Sequence, residues 1–336
     1  MSDRQSNSRT DRALPRDCSP PPPVAALDQL LFAGPDVRIG RFRCDARHPS
    51  FRDTGPIRDA VVVFPRTSVW IRHEGARAFV ADPTVVTIYN RAQRYERFPI
   101  SAEGDHCDWF ALSEPLAREI AAVWRPEHAD HPERPFGDMR APGTAALYVR
   151  QRALQRRALA NHVDRHSAAT LELEEEAIGV ISAVLQRAAG ASRRARAARS
   201  TRATAARRAD LAEAARELLS ETALENRPVR ALAEHLGVSP FHLCRVFRAE
   251  TGTTLHAYRM ALRVHAAIGM LDESDGGARL GLSTVAHTTG LASHAHFVRV
   301  CQSHLHCAPA ALRARLVRAS CPDLSNALSR RRALPQ

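Results

Sequence analysis

Two copies of one helix-turn-helix pattern stand in the last third of the chain, and they constrain its fold more than any other feature. In the first copy, a predicted short helix over Val229–Leu236 stops at Gly237, whose missing Cβ permits the left-handed conformation of a tight turn. Ser239 then offers a side-chain oxygen to cap a new helix, and Pro240 suits the first position of that helix because it lacks an N–H group. The pattern therefore predicts two helices joined by a tight turn, preceded by another helix over Leu211–Ser220.

The helix after this turn has two different faces. Leu243, Val246 and Phe247 recur at three- and four-residue steps and should face the core. The opposite stripe consists of Phe241, His242, Arg245 and Arg248. An exposed helix about 10 to 12 Å across fits the major groove of B-DNA. Arg245 is the strongest candidate for reading a base, since its planar guanidinium group can donate hydrogen bonds to O6 and N7 of one guanine at the same time. The alternative is that this stripe only carries solvated charges.

The second copy begins at Leu282, turns at Gly290 and continues in a predicted helix from His294 to about Leu305. The predicted buried side of that helix holds Phe297, Val300 and Cys301, and the outer side holds His294, Ala295, Arg299 and Gln302. Arg299 takes the role that Arg245 has in the first copy. A predicted amphipathic helix over Leu255–Leu271 separates the copies; it spans roughly 25 Å, close to the roughly 34 Å between successive major-groove faces.

The turn residues and the spacing of the two copies resemble those of the AraC/XylS family of regulators. The resemblance rests on Ala231-Leu232-Ala233-x-x-Leu236-Gly237-Val238-Ser239-Pro240-x-x-Leu243-x-Arg245-x-Phe247-Arg248-x-x-x-Gly252, on Thr289-Gly290-Leu291-Ala292-Ser293-x-x-His296-Phe297-x-Arg299, and on Pro309. It implies an all-α domain of about seven helices. It also implies that the base-approaching positions are Phe241, Cys244, Arg245, His294, Ala295 and Arg299. Ser239 and the outer residues His242 and Arg248 complete the predicted DNA-binding set.

The second copy departs from the family pattern at three positions. Cys301 stands where a Phe is usual, His306 where a Gly is usual, and Leu291 where an aromatic residue is common. A smaller side chain at position 301 removes packing area, at a cost of about 1 to 3 kcal/mol if nothing refills the gap. We therefore expect the second copy to be the weaker or less specific reader of DNA.

Charge and cysteine content agree with a polyanionic partner inside a reducing compartment. The formal net charge is +12, and all 48 basic residues are Arg, which favours nucleic acid, although a biased genome could raise Arg in the same way. The polar, Pro-rich start lacks the apolar run of a secretory signal or membrane anchor, so we expect a cytoplasmic protein. Seven cysteines without a CxxC spacing fit free thiols, and Cys244, Cys301 and Cys307 are expected to be small buried hydrophobes.

The first half of the chain has a different pattern. Short runs rich in β-branched residues lie between Asp36 and Leu112, and stretches with helical periodicity follow them. Its order and a few scattered residues resemble the cupin-like sensory and dimerisation domain that precedes the family's DNA-binding domain. These residues are Phe64-Pro65-Arg66, Tyr95 and Gly104-Asp105-His106-Cys107. The fold class is therefore predicted as multidomain, with a β-rich cupin-like barrel and trailing helices ahead of the all-α domain. The barrel is expected to hold a small-molecule effector; the alternative is a dimer platform without a ligand.

Five segments follow from these patterns. We expect a disordered tail over residues 1–25, a sensor and dimerisation domain over 26–190, an Arg-rich linker over 191–208, the DNA-binding domain over 209–318, and a flexible tail over 319–336. The linker has seven Arg and no acidic residue, a composition that suits an exposed spacer or a frayed helix. It could also be an arm that contacts phosphates.

Three other functions compete with sequence-specific regulation. A metal-dependent cupin enzyme would need a His-x-His pair, which the front half lacks, so no catalytic residue, metal or cofactor is expected. A zinc site could form among the His and Cys residues at 294–307, but a helix would point them in different directions. A basic protein could coat nucleic acid without choosing a sequence, but this does not require two capped recognition helices. The sequence therefore predicts a transcriptional regulator that binds promoter DNA as a homodimer, with RNA polymerase as a possible further partner.

Overall fold

A computed structural model of the chain describes residues 27–53, 55–124, 126, 131, 133–160, 168–197, 202–273 and 280–319. The predicted tail over 1–25 lies outside these residues, as does the predicted tail over 319–336 except for residue 319. Nine strands and ten helices are assigned within them. No described helix combines the length and the apolar character needed to cross a bilayer.

The front half is β-rich. Its strands are β1 Asp28–Ala33, β2 Val37–Cys44, β3 Ala60–Pro65, β4 Val69–His73, β5 Phe79–Ala81, β6 Val85–Tyr89, β7 Tyr95–Pro99, β8 Asp105–Leu112 and β9 Arg140–Pro142. They form a six-stranded sheet in the order β1-β2-β8-β3-β6-β9 and a three-stranded sheet in the order β5-β4-β7. The pairings within both sheets are antiparallel.

The expected barrel is wrong in one respect, because the strands do not close. The two edge strands of the larger sheet, β1 and β9, do not pair with each other. Helices contact them instead: α2 Ala145–Ala160 packs on β1, and α3 Ala168–Ala197 packs on β9. A helix that covers a sheet edge removes the need to close that edge with another strand.

The remaining helices follow in chain order. They are α1 Glu114–Trp124, and after α3, α4 Arg202–Glu221, α5 Val229–His235, α6 Pro240–Thr251, α7 Leu255–Glu273, α8 Leu282–Thr288, α9 His294–Leu305 and α10 Pro309–Ala319. The seven helices from α4 onward, within the described residues, confirm the expected all-α domain with two helix-turn-helix units.

The Arg-rich segment 191–208 is helical at both ends. Helix α3 continues to Ala197 and α4 already starts at Arg202, so the described part of this segment is helical. Ala and Arg are among the strongest helix formers, which explains why the segment extends both neighbouring helices. The domain limits themselves stay predictions.

The DNA-binding half has two apolar cores, and α7 belongs to both. The core of the first unit contains Phe247 of α6 with Leu255, Tyr258 and Leu262 from the start of α7. The core of the second unit contains residues from the end of α7 with Phe297, Cys301, Leu312 and Leu316 of α9 and α10. One continuous helix therefore carries both units.

Helix α2 lies between the two halves of the molecule. It gives Leu147 and Leu154 to the core under the large sheet, and it gives Tyr148 and Val149 to the core of the second unit. Because both of its faces are covered, even its polar residue Arg152 is only 2% exposed. The helix thus joins the β-rich half to the second helix-turn-helix unit.

Candidate nucleic-acid interface

The first turn has the geometry that its residues predict. Gly237 adopts a left-handed conformation with φ of 65°. Ser239 lies in the extended region, and its hydroxyl accepts a hydrogen bond from the backbone N–H of His242 at 3.2 Å. Pro240 is the first residue of α6 and Gly252 ends that helix in a left-handed conformation. Both ends of α6 are therefore fixed by local backbone chemistry.

Helix α6 turns its apolar side inward and its predicted DNA side outward. Leu243, Val246 and Phe247 are buried. Phe241 is 78% exposed, an unusual state for a large aromatic side chain. The other outer residues are also accessible, with Cys244, Arg245 and Arg248 exposed and His242 half-buried. Cys244 is thus a correction to the expected buried thiol, because it lies on the outer stripe of α6.

The second unit repeats this arrangement. Gly290 is left-handed with φ of 72°, and the Ser293 hydroxyl accepts a hydrogen bond from the backbone N–H of His296 at 3.1 Å. In α9, Phe297 and Cys301 are fully buried. His294, Ala295 and Arg299 are exposed, as the sequence pattern predicts.

The charged groups on these two faces are unpaired. Arg245, Arg248 and Arg299 form no ion pair with any other residue that the structure describes. On the neighbouring α5, Arg230 pairs with Glu234. Free guanidinium groups on an exposed helix face are available to phosphates and to base edges.

The two units differ in the length of the turn and in the residue that caps the end of the second helix. One residue, Val238, separates Gly237 from Ser239, whereas Leu291 and Ala292 separate Gly290 from Ser293. His306 caps the C-terminal end of α9 with a left-handed φ of 54°, as Gly252 caps α6 with a φ of 74°. A side chain is strained in that conformation.

Cys301 is fully buried although its side chain is small. Its core also includes Tyr148 and Val149, so the β-rich half supplies packing to the second unit. Burial, together with the nearby Cys307, raises the pKa of the Cys301 thiol to about 12. Cys301 is therefore a neutral hydrophobic residue.

The β-rich half contacts α4 and α7 on a side that leaves the outer faces of α6 and α9 exposed. The carboxylate of Asp82, fully buried, accepts a hydrogen bond from the Tyr258 hydroxyl. Glu213 of α4 accepts hydrogen bonds from the backbone N–H of Val80 at 2.9 Å and from Arg140 at 2.7 Å. These interdomain contacts were not predicted, since Asp82 and Tyr258 are 176 residues apart and no local pattern marks either.

A second interdomain contact runs through α2. Asp272 near the end of α7 forms ion pairs with Arg152 and Arg156. Arg152 also lies 3.4 Å from the carboxylate of Asp108 on β8. All four side chains are at most 8% exposed, so a buried chain of charges links the large sheet to the connector helix.

The interior between the sheets is filled where an effector pocket was expected. Phe51, Ile71 and Phe79 pack there. Arg97 is buried beside them, pairs with Asp105 at 2.8 Å and lies over the ring of Phe42. A cavity of about 440 Å³ is an open groove outside the sheets, lined by Trp70, Arg72, Ala76, Arg77, Ala78, Asp210 and Glu213.

The described residues contain no cluster of three or more His, Cys, Asp or Glu side chains placed to hold a metal ion. In the candidate zinc region, His294 is exposed at the start of α9, whereas Cys301 is fully buried two turns later on the same helix.

Comparison with known proteins gives a match over the DNA-binding half. Residues 232–315 match the model of a family described as a helix-turn-helix domain. No curated protein sequence matches the chain. Among solved structures, ToxT from Vibrio cholerae is similar at 12% identity and a TM-score of 0.32, over 83% of this chain and 98% of that chain. The AraC-like transcriptional activator CuxR is similar at 13% identity and a TM-score of 0.30, over 67% and 74%.

Proposed function

We propose that the chain is a transcriptional regulator with an AraC-type helix-turn-helix domain. We further propose that α6 and α9 enter two successive major-groove segments on one face of a DNA duplex. In this arrangement Arg245 and Arg299 contact base edges, while backbone groups at the helix starts contact phosphates. On this proposal the chain acts by binding and not by catalysis. It works in the compartment that holds the DNA.

One observation carries the proposal above the others. Arg245 lies six residues after the capping Ser239, and Arg299 lies six residues after the capping Ser293. Both helices have 12 residues, so the two guanidinium groups leave equivalent positions on equivalent helices. Two equivalent helices suit a ligand that presents the same binding surface twice, and the grooves of a duplex repeat about every 10 to 10.5 base pairs.

The remaining outer positions suggest that the two helices read DNA differently. Position by position from the cap, Phe241 corresponds to Ala295, and Arg248 corresponds to Gln302. The first helix thus presents a large apolar group and a second cation where the second helix presents a methyl group and a neutral amide. We propose that the first unit supplies more of the affinity and more of the selectivity.

Selection of binding sites from a random duplex pool, followed by hydroxyl-radical footprinting, tests this proposal. The expected site has two protected segments on one face of the duplex, with centres about 10 to 10.5 base pairs apart. The matched competitor is the same duplex with its two segments shuffled. Continuous protection, with equal affinity for the shuffled duplex at the same stated salt, would favour non-specific coating and overturn the proposal.

The proposal extends to a homodimer joined through the β-rich half. Two linked copies would bind two sites, and the second binding event would gain from the effective concentration of the first. Light scattering with and without the selected duplex measures this stoichiometry. RNA polymerase is a proposed further partner, tested by whether polymerase and regulator bind the selected promoter cooperatively.

We also propose that a small molecule controls DNA binding through the groove lined by Trp70, Arg77 and Asp210. The groove lies where the β4-β5 turn meets α4, and Arg77 of the sheet pairs there with Asp210 of the helix. A ligand that binds there would change how the two halves pack. A metabolite screen by thermal shift tests this idea, and Trp70→Ala should abolish any shift that is found. A shift that persists in this variant would locate the effector elsewhere.

A further inference from the structure

The two helix-turn-helix units approach each other closely at Gly290. At Gly290, in the turn of the second unit, a Cβ atom would lie 2.5 Å from the backbone oxygen of Leu224 in the loop between α4 and α5. At the corresponding Gly237 of the first unit, a Cβ atom would have no neighbour within 4 Å. The turn of the second unit is therefore packed against the first unit, whereas among the described residues nothing packs against Gly237 in the turn of the first unit.

Arg263 of α7 lies at this contact and bonds to both sides of it. Its Nη1 group donates to the backbone oxygen of Gly290 at 2.7 Å. Its Nε group donates to the backbone oxygen of Ala223 at 2.7 Å. Its Nη2 group donates to the Glu225 backbone oxygen and to Oδ1 of Asn226, both at 2.9 Å. One side chain thus joins the connector helix, the α4-α5 loop and the second turn.

The chemistry of this contact depends on the guanidinium group. The four acceptors are neutral carbonyl and amide oxygens, and Arg263 is only 5% exposed. Burial, and then the nearby Arg259, lowers the pKa of Arg263, as expected for a cation without a carboxylate partner at these bonds. A lysine cannot replace the planar fork, because its single ammonium group cannot reach acceptors on two sides.

We infer that Arg263 is a positioning residue that fixes the separation and orientation of the two DNA-reading units, an inference that rests on the proposed function. Helix α7 sets the length of the connection and packs into the apolar core of each unit. Arg263 and the close approach at Gly290 add a direct tie between the two units, which opposes a change in their relative orientation. The selectivity for the spacing between DNA segments therefore comes from this contact.

Arg259 provides a matched control on the same helix, one turn earlier. Its Nη1 group donates to the backbone oxygen of Arg227 at 2.7 Å, so it ties α7 to the loop of the first unit. It makes no recorded bond to the second unit among the described residues. Arg259→Lys keeps the cation and removes the guanidinium bond to this loop without cutting the link between the units.

The experiment measures affinity of the full chain for the selected duplex and for duplexes with one to three base pairs inserted between its two segments. One inserted pair shifts the second segment by about 3.4 Å and rotates it by about a tenth of a turn. The wild type is expected to lose about tenfold or more in affinity with one inserted pair, because both units can no longer engage together. Arg263→Lys is expected to bind the original duplex more weakly and to lose less than about threefold on insertion.

Arg259→Lys is expected to keep the spacing selectivity of the wild type. If Arg263→Lys keeps it too, the inference is wrong and α7 alone sets the spacing. If the wild type itself shows no preference for sequence or spacing, the proposed function fails, which is a separate result.

A second pair of variants keeps the inference testable if Arg263→Lys does not fold. Gly290→Ala introduces a side chain against Leu224, whereas Gly237→Ala introduces one into open space, and both residues have a positive φ. The backbone strain is therefore common to the two variants. Gly290→Ala should weaken spacing selectivity and Gly237→Ala should not; equal spacing profiles would overturn the inference.

Discussion

The carboxylate of Asp272, near the C-terminal end of α7, is buried against the guanidinium group of Arg152 on α2. Arg156 pairs with the same carboxylate, and Arg152 lies 3.4 Å from Asp108 of the large sheet. The connector helix that carries both DNA-reading units is thus attached to the β-rich half by buried charges at one end. A change in the sheet can reach the second unit through this attachment.

Loss of the Asp272 charge is expected to destabilise the protein strongly. Asp272→Asn would remove the carboxylate that pairs with buried Arg156 and would leave buried Arg152 with Asp108 alone, and removing one member of such a group costs about 3 to 5 kcal/mol. Urea unfolding measures the change in the free energy of unfolding. The control is Glu234→Gln, which breaks the exposed pair with Arg230 and should cost at most about 0.5 kcal/mol. Equal effects in the two variants would contradict a structural role for the buried pair.

Acid is expected to destabilise the fold through His265. Burial, with a smaller effect from His304, lowers the pKa of His265 to about 3, while the unfolded chain takes up the proton near pH 6.5. The stability that comes from the neutral ring is therefore complete above pH 6.5 and is lost as the pH falls toward 3. Over that range this residue removes about 1.4 kcal/mol per pH unit.

His265→Leu should reduce that slope by about one proton, measured as the free energy of unfolding between pH 7 and pH 4. In the wild type, the His265 ring packs edge-on against Tyr148, and its Nδ1 atom has no hydrogen-bond partner among the described residues. An apolar side chain therefore suits the site. His256→Leu, at an exposed position of the same helix, is the control and should leave the slope unchanged. A slope that is the same in all three proteins would assign the acid sensitivity to other groups.

Replacing His306 by glycine is expected to stabilise the second unit. His306 ends α9 with a φ of 54°, where glycine carries no penalty from Cβ. Relief of this strain should raise the free energy of unfolding by about 1 kcal/mol. The reverse change at the corresponding position, Gly252→His, should lower it by a similar amount. A destabilised His306→Gly variant would mean that the imidazole makes a favourable contact that outweighs the strain.

Phe241 is expected to contribute to DNA binding and not to folding. A ring that is 78% exposed gains little from packing, so Phe241→Ala should change the free energy of unfolding by at most about 0.5 kcal/mol. Affinity for the selected duplex should fall by about 1 to 3 kcal/mol if the ring packs on a thymine methyl group. Replacing thymines in the first segment by uracils tests the same contact from the DNA side. Wild-type affinity for the uracil duplex would exclude a methyl contact.

The local features of the DNA-binding half could be predicted from the sequence because short-range chemistry determines them. Gly237 and Ser239 act within three residues of their own positions, through backbone freedom and a capping hydrogen bond. The helical period likewise fixes which residues of α6 are buried. These features do not depend on contacts with residues far away in the sequence.

The long-range features could not be predicted in the same way. Whether the strands close depends on whether β1 and β9 meet, which is decided by α2 and α3 packing on those edges. Residues 151, 152, 155 and 156 of α2 look like surface positions in the sequence, yet all are buried because two separate cores cover the helix. The Arg263 contact was missed for the same reason, since its partners lie between 27 and 40 residues away.

The most direct test is to measure the affinities of Arg245→Ala and Arg299→Ala for every single-base variant of the selected duplex at one stated salt concentration. Each variant should lose about 1 to 3 kcal/mol on the selected duplex and become indifferent to the base at one position, with the two positions about one duplex turn apart. Arg118→Ala on α1, which removes an exposed charge of the β-rich half, should do neither. A uniform loss of affinity across all duplexes, equal for the three variants, would contradict base reading by α6 and α9.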